Sequence, residues 1–298
     1  MKPELIEIKQ DRPGFERFVG SWLCSFDKTL VVDVGPSRSL PALIDALTAR
    51  GIRHVDYVLL THIHMDHAGG LAEFLDHFPM ARAVCHEKAI SHLVDPAKLW
   101  QGSLKTLGDL AEAYGPIRPV QRERLIPHTE AQAAGIDLVE TPGHAVHHLS
   151  FVLQGHLFAG EAGGIYVTGP GWEYLRPATP PVFFLRQFIE SIDRLLSLQD
   201  LRMCYAHFGE AESSHQMLKR ERAQLLLWES LITEEAAGGG PLPVERCTAG
   251  LLAQDPELRA FQRMSPAEQA RERFFMGNSI KGYLGGIEEH PQGAGKDR

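Results

Sequence analysis

Nowhere in its 298 residues does the chain carry an apolar run long enough to cross a bilayer. Its first residues, Met1-Lys2-Pro3-Glu4-Leu5-Ile6-Glu7-Ile8-Lys9, lack the apolar core of a secretory signal, so a cytoplasmic protein without a membrane partner is the expectation. Cysteine is scarce. Cys24, Cys85, Cys204 and Cys247 are scattered without paired spacing, which excludes a CxxC zinc site and a disulfide framework and leaves reduced, buried thiols. Basic charge is also in deficit: a formal net charge of −8 argues against a polyanion-binding face, so the expected partner is a small-molecule substrate and not a nucleic acid. The densest basic cluster, Lys219-Arg220-Glu221-Arg222, lies in a helical pattern with glutamate interspersed and reads as a solvated helix face. No Gly-x-Ser-x-Gly elbow is present, which removes one common source of a serine nucleophile.

What is present is an alternation of strands and helices. Residues 30–36 read as a buried strand ending in a turn, 40–50 as a helix stopped by Gly51, and 55–60 as a second buried strand. A helix follows Gly69-Gly70. Residues 81–85 read as a strand, 88–93 and 97–114 as helices, 136–141 as a half-buried strand, and 148–152 with 156–160 as a hairpin around Gln154-Gly155. Residues 163–181, rich in glycine, proline and aromatics, read as a long ordered loop. Beyond it come a helix over 184–198, a strand over 202–206, a long helix over 212–237 stopped by Gly238-Gly239-Gly240-Pro241, a small helical group over 243–283, and a frayed tail from Gly285.

Four of the expected strands end on residues that ligate metals. The strand before residue 61 runs into Thr61-His62-Ile63-His64-Met65-Asp66-His67, and the others end at His144, Glu161 and His207. His62 and His64 are two apart, so in extended backbone their imidazoles project to one side. Packing gains nothing from so many clustered ionisable groups. Imidazole and carboxylate suit zinc, iron or manganese, and the set is large enough for two ions.

At these residues the chain resembles a known family. Thr61 to Gly70 resembles the HxHxDH signature of the metallo-β-lactamase superfamily, Thr141-Pro142-Gly143-His144 its third histidine motif, and Ala206-His207-Phe208-Gly209 its last. Glu161 stands where the family usually has a bridging aspartate. The resemblance implies an α/β fold, a four-layer αββα sandwich, over residues 1–211, with 212–298 as a C-terminal helical extension. It also implies that His62, His64 and His144 hold one divalent ion, that Asp66, His67 and His207 hold the other, and that Glu161 bridges them. Zinc is the first expectation, with iron or manganese as alternatives. Asp33 matches a position that buttresses the site without binding metal.

Two cations can generate hydroxide at neutral pH, so no serine or cysteine nucleophile is required. The expected activity is hydrolysis of an ester or thioester, with Asp66 as the catalytic residue that orients water and relays protons. A lactonase, a phosphodiesterase or nuclease, and an iron-dependent sulfur dioxygenase are the alternatives on the same scaffold. Residues 174–184 resemble hydroxyacylglutathione-hydrolase-like members of the superfamily, yet that hydrolase's C-terminal glutathione-binding pattern is not seen. Trp172, Tyr174 and Arg176 are candidate substrate contacts, and the C-terminal helices are read as a structural extension, with a lid or a homodimer surface as alternatives.

Overall fold

The computed structural model describes residues 2–238 and 243–289. In its first sheet, β1 (Glu4–Glu7), β2 (Gly20–Ser25) and β3 (Thr29–Val32) run antiparallel, and β4 (Tyr57–Leu59), β5 (Arg82–Cys85) and β6 (Leu125–Pro127) continue in parallel. Parallel neighbours need crossovers. These are α1 (Leu40–Ala49), then α2 (Met65–Ala68) with α3 (Leu71–His77), then α4 (Ile90–Val94), α5 (Ala97–Leu107) and α6 (Asp109–Tyr114). The second sheet contains β7 (Asp137–Glu140), β8 (Leu149–Leu153) and β9 (His156–Gly160). A hairpin of β10 (Ile165–Gly169) and β11 (Trp172–Arg176) and helix α7 (Leu185–Leu196) follow. Then β12 (Arg202–Tyr205) and β13 (Glu210–Ala211) complete the second sheet in the order β13-β12-β9-β8-β7.

The period-two geometry of a strand explains how the sheets stack. Val31, Val58 and Ala83 face α1 and α3, where Leu43, Leu47 and Phe74 wait for them. Their neighbours Leu30, Val32, Leu59 and Val84 point the other way and meet Leu149, Phe151, Phe158 and Cys204 of the second sheet. Leu157, Ala159 and Met203 face outward again, beneath Phe188 and Ile192 of α7 and Leu218 and Leu225 of α8 (Ser214–Ala237). Helix, sheet, sheet and helix thus form the four layers expected. Strands buried on both faces read as continuous apolar runs, which is why they were legible. The C-terminal α9 (Pro243–Gln254) and α10 (Pro266–Glu289) join the outer layer: Leu251, Phe261 and Met276 share one apolar cluster with Leu157 and Met203.

Several elements depart from the expectations. Residues 163–181 are not a loop throughout, because Gly169 pairs with Trp172 across Pro170-Gly171 and closes β10 on β11. Gly171 supplies the left-handed backbone at φ +70° that the turn requires. The helix expected over 97–114 is broken at Gly108, φ +54° and ψ −128°. Glu221, placed on a solvated face, is wholly buried, since α8 is covered on more than one side; burial holds its carboxyl well above the ordinary range. α10 runs to Glu289, so the tail is helical where it begins, and residues 239–242 and 290–298 of the expected break and tail lie outside the described residues. The four cysteines are free and buried. Among the described residues, no helix is long and apolar enough to cross a membrane.

Candidate metal centre

Strand direction brings the candidate ligands together. β7, β9 and β12 run the same way, so the chain leaves all three at one edge of the second sheet: into Thr141-Pro142-Gly143-His144, into Glu161, and into Ala206-His207. β4 delivers Thr61 to His64 to that edge from the first sheet, and α2 begins at Met65 and supplies Asp66 and His67. Seven side chains from four strand ends therefore meet in one place.

They meet as two groups. His62, His64, His144 and Glu161 have ligand atoms within 4.8 Å of one another, and Asp66, His67 and His207 form the second set on the same criterion. In the first, the His64 Nδ1 lies 2.9 Å from both His62 Nε2 and His144 Nε2, and Glu161 Oε2 lies 3.1 Å and 2.7 Å from those two Nε2 atoms. In the second, His207 Nε2 is 3.4 Å from Asp66 Oδ2, and His67 Nε2 is 3.8 Å from Asp66 Oδ1. Glu161 reaches across, 3.5 Å from His207 Nε2 and 3.8 Å from His67 Nε2. The longer side chain at the bridging position thus touches both groups.

The tautomers can be read from the outer partners. His144 Nδ1–H donates to the Ala178 carbonyl (2.6 Å), His207 Nδ1–H to the Phe18 carbonyl (2.8 Å), and His67 Nδ1–H to Asp33 (3.0 Å). Each therefore turns a lone pair on Nε2 toward the centre. His67 Nε2 is buried with no hydrogen-bond partner, an arrangement that is costly unless something cationic faces it. Burial disfavours the His67 cation, yet Asp66 and Asp33 outweigh it and push the imidazole up to about 9, so the carboxylates hold positive charge at Nε2, as a proton or as a metal ion that takes the proton's place on the lone pair. Burial would likewise raise Asp66, but His67 and His207 hold its carboxyl down to about 2. The pocket demands positive charge beside converging lone pairs, and the donor set fits divalent metal.

Two residues outside the centre fix its geometry. Asp33 sits in left-handed backbone at φ +55°; its carboxylate accepts from the Thr61 N–H (2.8 Å) and Thr61 hydroxyl (2.7 Å) as well as from His67. It locks the start of the ligand loop and the ring of one ligand at once. His148 supports the centre without entering it: its Nε2 accepts the Glu161 N–H (3.0 Å), and its Nδ1–H donates to Thr141 Oγ1 (2.8 Å). Asparagine tolerates the same backbone as aspartate, so Asp33→Asn isolates the charge. It is expected to weaken metal affinity by about 10- to 100-fold, measured by competition with a chelator. Affinity equal to that of the unmodified protein would remove Asp33 from this role.

A third cluster, His86, His128 and Glu140, has the right residue types but the wrong tautomers. His86 Nδ1 accepts the Lys88 N–H and His128 Nδ1 the Glu87 N–H, both at 3.1 Å, so each ring carries its proton on Nε2. Those Nε2 atoms face Glu140, at 3.5 Å and 3.1 Å. A metal would need a lone pair where these rings hold hydrogen, and the cluster is a hydrogen-bonded clamp.

Over the candidate ligands opens a cavity of about 370 Å³, with Phe18, His64, Asp66, His144, Glu161 and His207 in its floor and walls. α5 and α10 complete it; a place over the site was one of the alternatives for the C-terminal helices, whereas the sequence assigned none to α5. Of the three candidate substrate contacts, only Arg176 lines this cavity, and its guanidinium is buried against Glu272. Tyr174 is wholly buried in the core and Trp172 packs between two apolar clusters, because both belong to the β11 strand and not to an open loop.

Comparison with known proteins agrees with this geometry. The sequence model of the metallo-beta-lactamase superfamily matches residues 21–207. A metallo-beta-lactamase fold-containing protein of Sulfurisphaera tokodaii is 30% identical over 220 residues, 68% of this chain and 79% of that protein. A hydroxyacylglutathione hydrolase of Xanthomonas campestris pv. campestris is 29% identical over 202 residues, 65% of this chain but 62% of its own length. Among solved structures, a metallo-beta-lactamase family protein from Thermus thermophilus superposes with a TM-score of 0.67 at 22% identity, covering 97% of this chain and 94% of the other. The matched span encloses every candidate ligand from His62 to His207, and the chain belongs to the metallo-β-lactamase superfamily as a metallo-hydrolase.

Proposed function

We propose that the chain hydrolyses an ester or thioester of a small molecule with two divalent ions bound, zinc in the first instance. The observation that carries this reading is the convergence of five histidines and two carboxylates, with outer hydrogen bonds turning the lone pairs of His67, His144 and His207 inward and His67 Nε2 left without a protein partner. His62, His64 and His144 would hold one ion, Asp66, His67 and His207 the other, and Glu161 both. When bound, such ions supply Lewis acidity and lower the pKa of water into the neutral range.

The chain's own residues do the rest. Asp66, ionised at neutral pH, accepts the proton of the attacking water and returns it to the leaving alkoxide or thiolate; the water oxygen bonds to the carbonyl carbon as the C–O or C–S bond breaks. Phe18 and Met65 form apolar wall beside the ligands and keep bulk water from competing. Elemental analysis of the purified protein, combined with turnover of an ester, thioester, lactone and phosphodiester panel before and after chelation, tests the reading. About two equivalents of metal and chelator-sensitive ester or thioester hydrolysis are expected. Turnover that survives complete metal removal, or confined to the phosphodiester, would overturn it.

A further inference from the structure

The cavity above the metal centre has two walls of its own. Along α5, Leu99, Gly102, Ser103 and Thr106 all line it, a spacing of three, one and three residues that places them on a single helix face. Opposite stand Phe275, Asn278 and Ser279 of α10, again at helical spacing, with Pro180 to Val182 at the rim. No α5 residue is fully buried: Leu99 leans partly on the apolar cluster of the first sheet, while Gly102 and Thr106 are exposed on the side of the open volume.

Gly102 is informative. A glycine inside a helix costs about 1 kcal/mol relative to alanine. Among the described residues a Cβ built there would meet no atom within 4 Å, so no packing neighbour among them demands glycine. What a side chain at this position would take is room in the cavity. Its contents are also telling: of the lysines and arginines lining it, Arg176 is buried in its ion pair with Glu272, which leaves Lys98 at the α5 end. A glutathione moiety carries two carboxylates, and one lysine is a poor match for both.

We propose that this cavity is an acyl site for an apolar chain, with α5 and α10 as its walls and Gly102 left bare to admit it; the proposal rests on the hydrolase reading above and specifies its substrate class. At about 30 Å³ per water-sized group, 370 Å³ holds on the order of twelve non-hydrogen atoms, an acyl group of about six to ten carbons with the bond to be cut.

The test uses the metal-loaded full chain and a series of N-acetylcysteamine thioesters from acetyl to dodecanoyl, with S-lactoylglutathione for comparison. The kcat/KM is expected to rise about threefold per added methylene as far as the cavity extends and then level off. Gly102→Trp should lower the octanoyl-to-acetyl ratio of kcat/KM at least tenfold, and Gly102→Ala should raise Tm, a check that the helix tolerates side chains there. A flat chain-length profile, or lactoylglutathione as the preferred substrate, overturns the acyl site while leaving hydrolysis intact. Calorimetric titration with octanoate separates the two readings. If no thioester is turned over, saturable octanoate binding that Gly102→Trp abolishes still upholds the site, and its absence overturns it.

Discussion

Replacing Asp66 with alanine is expected to lower kcat/KM for a hydrolysed ester or thioester by at least about 10³-fold, a barrier increase of about 4 kcal/mol. Two losses combine in the one side chain. Its carboxylate belongs to the Asp66, His67 and His207 group, 3.4 Å from His207 Nε2 and 3.8 Å from His67 Nε2, so metal content should fall from two equivalents toward one. The same carboxylate lines the cavity and is the proton acceptor of the proposed mechanism, so kcat should fall further than metal loss alone dictates. Asp66→Asn separates the effects: it keeps an oxygen donor but cannot take a proton at neutral pH, and should retain more metal than it retains rate. His144→Ala strips the other group and serves as the comparison. An Asp66→Ala protein with both metals bound and activity within tenfold of the unmodified chain would sink the role given to this residue.

The candidate ligands stood out because metal chemistry constrains residue type and spacing together. His62, His64, Asp66 and His67 lie within six residues, a density that neither core packing nor a solvated surface explains. The strands carrying them were legible too: β4, β9 and β12 as short apolar runs, and β7 by the alternation of a half-buried strand. What escaped lies at positions where local pattern carries no sign of distant partners. Asp33 was marked as a buttress by the resemblance alone, since locally it reads as a turn residue; only the fold shows that Thr61 and His67 are what its carboxylate holds. His148 sits among three histidines with nothing local to mark it, and its function is one backbone N–H thirteen residues away. β10 and β11 were obscured by their glycines and proline, which signalled a loop although they also make the turn of a hairpin. Phe18 is an ordinary aromatic in sequence, yet its carbonyl accepts from His207 and its ring stacks on that imidazole at 4.7 Å. The cavity stripe on α5 did leave a trace, a glycine in mid-helix between Gln101 and Ser103, which helical periodicity alone does not interpret.

Glu272→Ala is expected to cost about 3–5 kcal/mol of stability and to lower Tm by on the order of 10 °C. Glu272 is completely buried and pairs with two cations: Arg176 on one oxygen and Arg271, at 2.8 Å, on the other. Removing the carboxylate strands both guanidinium groups in the interior, where the uncompensated charge and not the lost contact sets the cost. Burial by itself would raise the Glu272 carboxyl, but Arg176 and Arg271 hold it below the ordinary 4.5. A lowered folded pKa means that this stabilisation is complete above about 4.5 and disappears as pH falls through the folded value. The variant should therefore show the deficit at neutral pH and a flatter decline of Tm in acid. The consequence extends to the metal centre. The Arg271 guanidinium lies 4.2 Å from the ring centroid of Phe18, Phe275 stacks on the same ring at 5.5 Å, and Phe18 orients His207. α10 thus braces a proposed metal ligand through one aromatic ring, and Glu272→Ala should lose metal from the His207 group at chelator concentrations that leave the unmodified protein loaded. A Tm within 2 °C of the unmodified protein's, on the scale of less than about 1 kcal/mol, would show that the buried pair does not hold this helix in place.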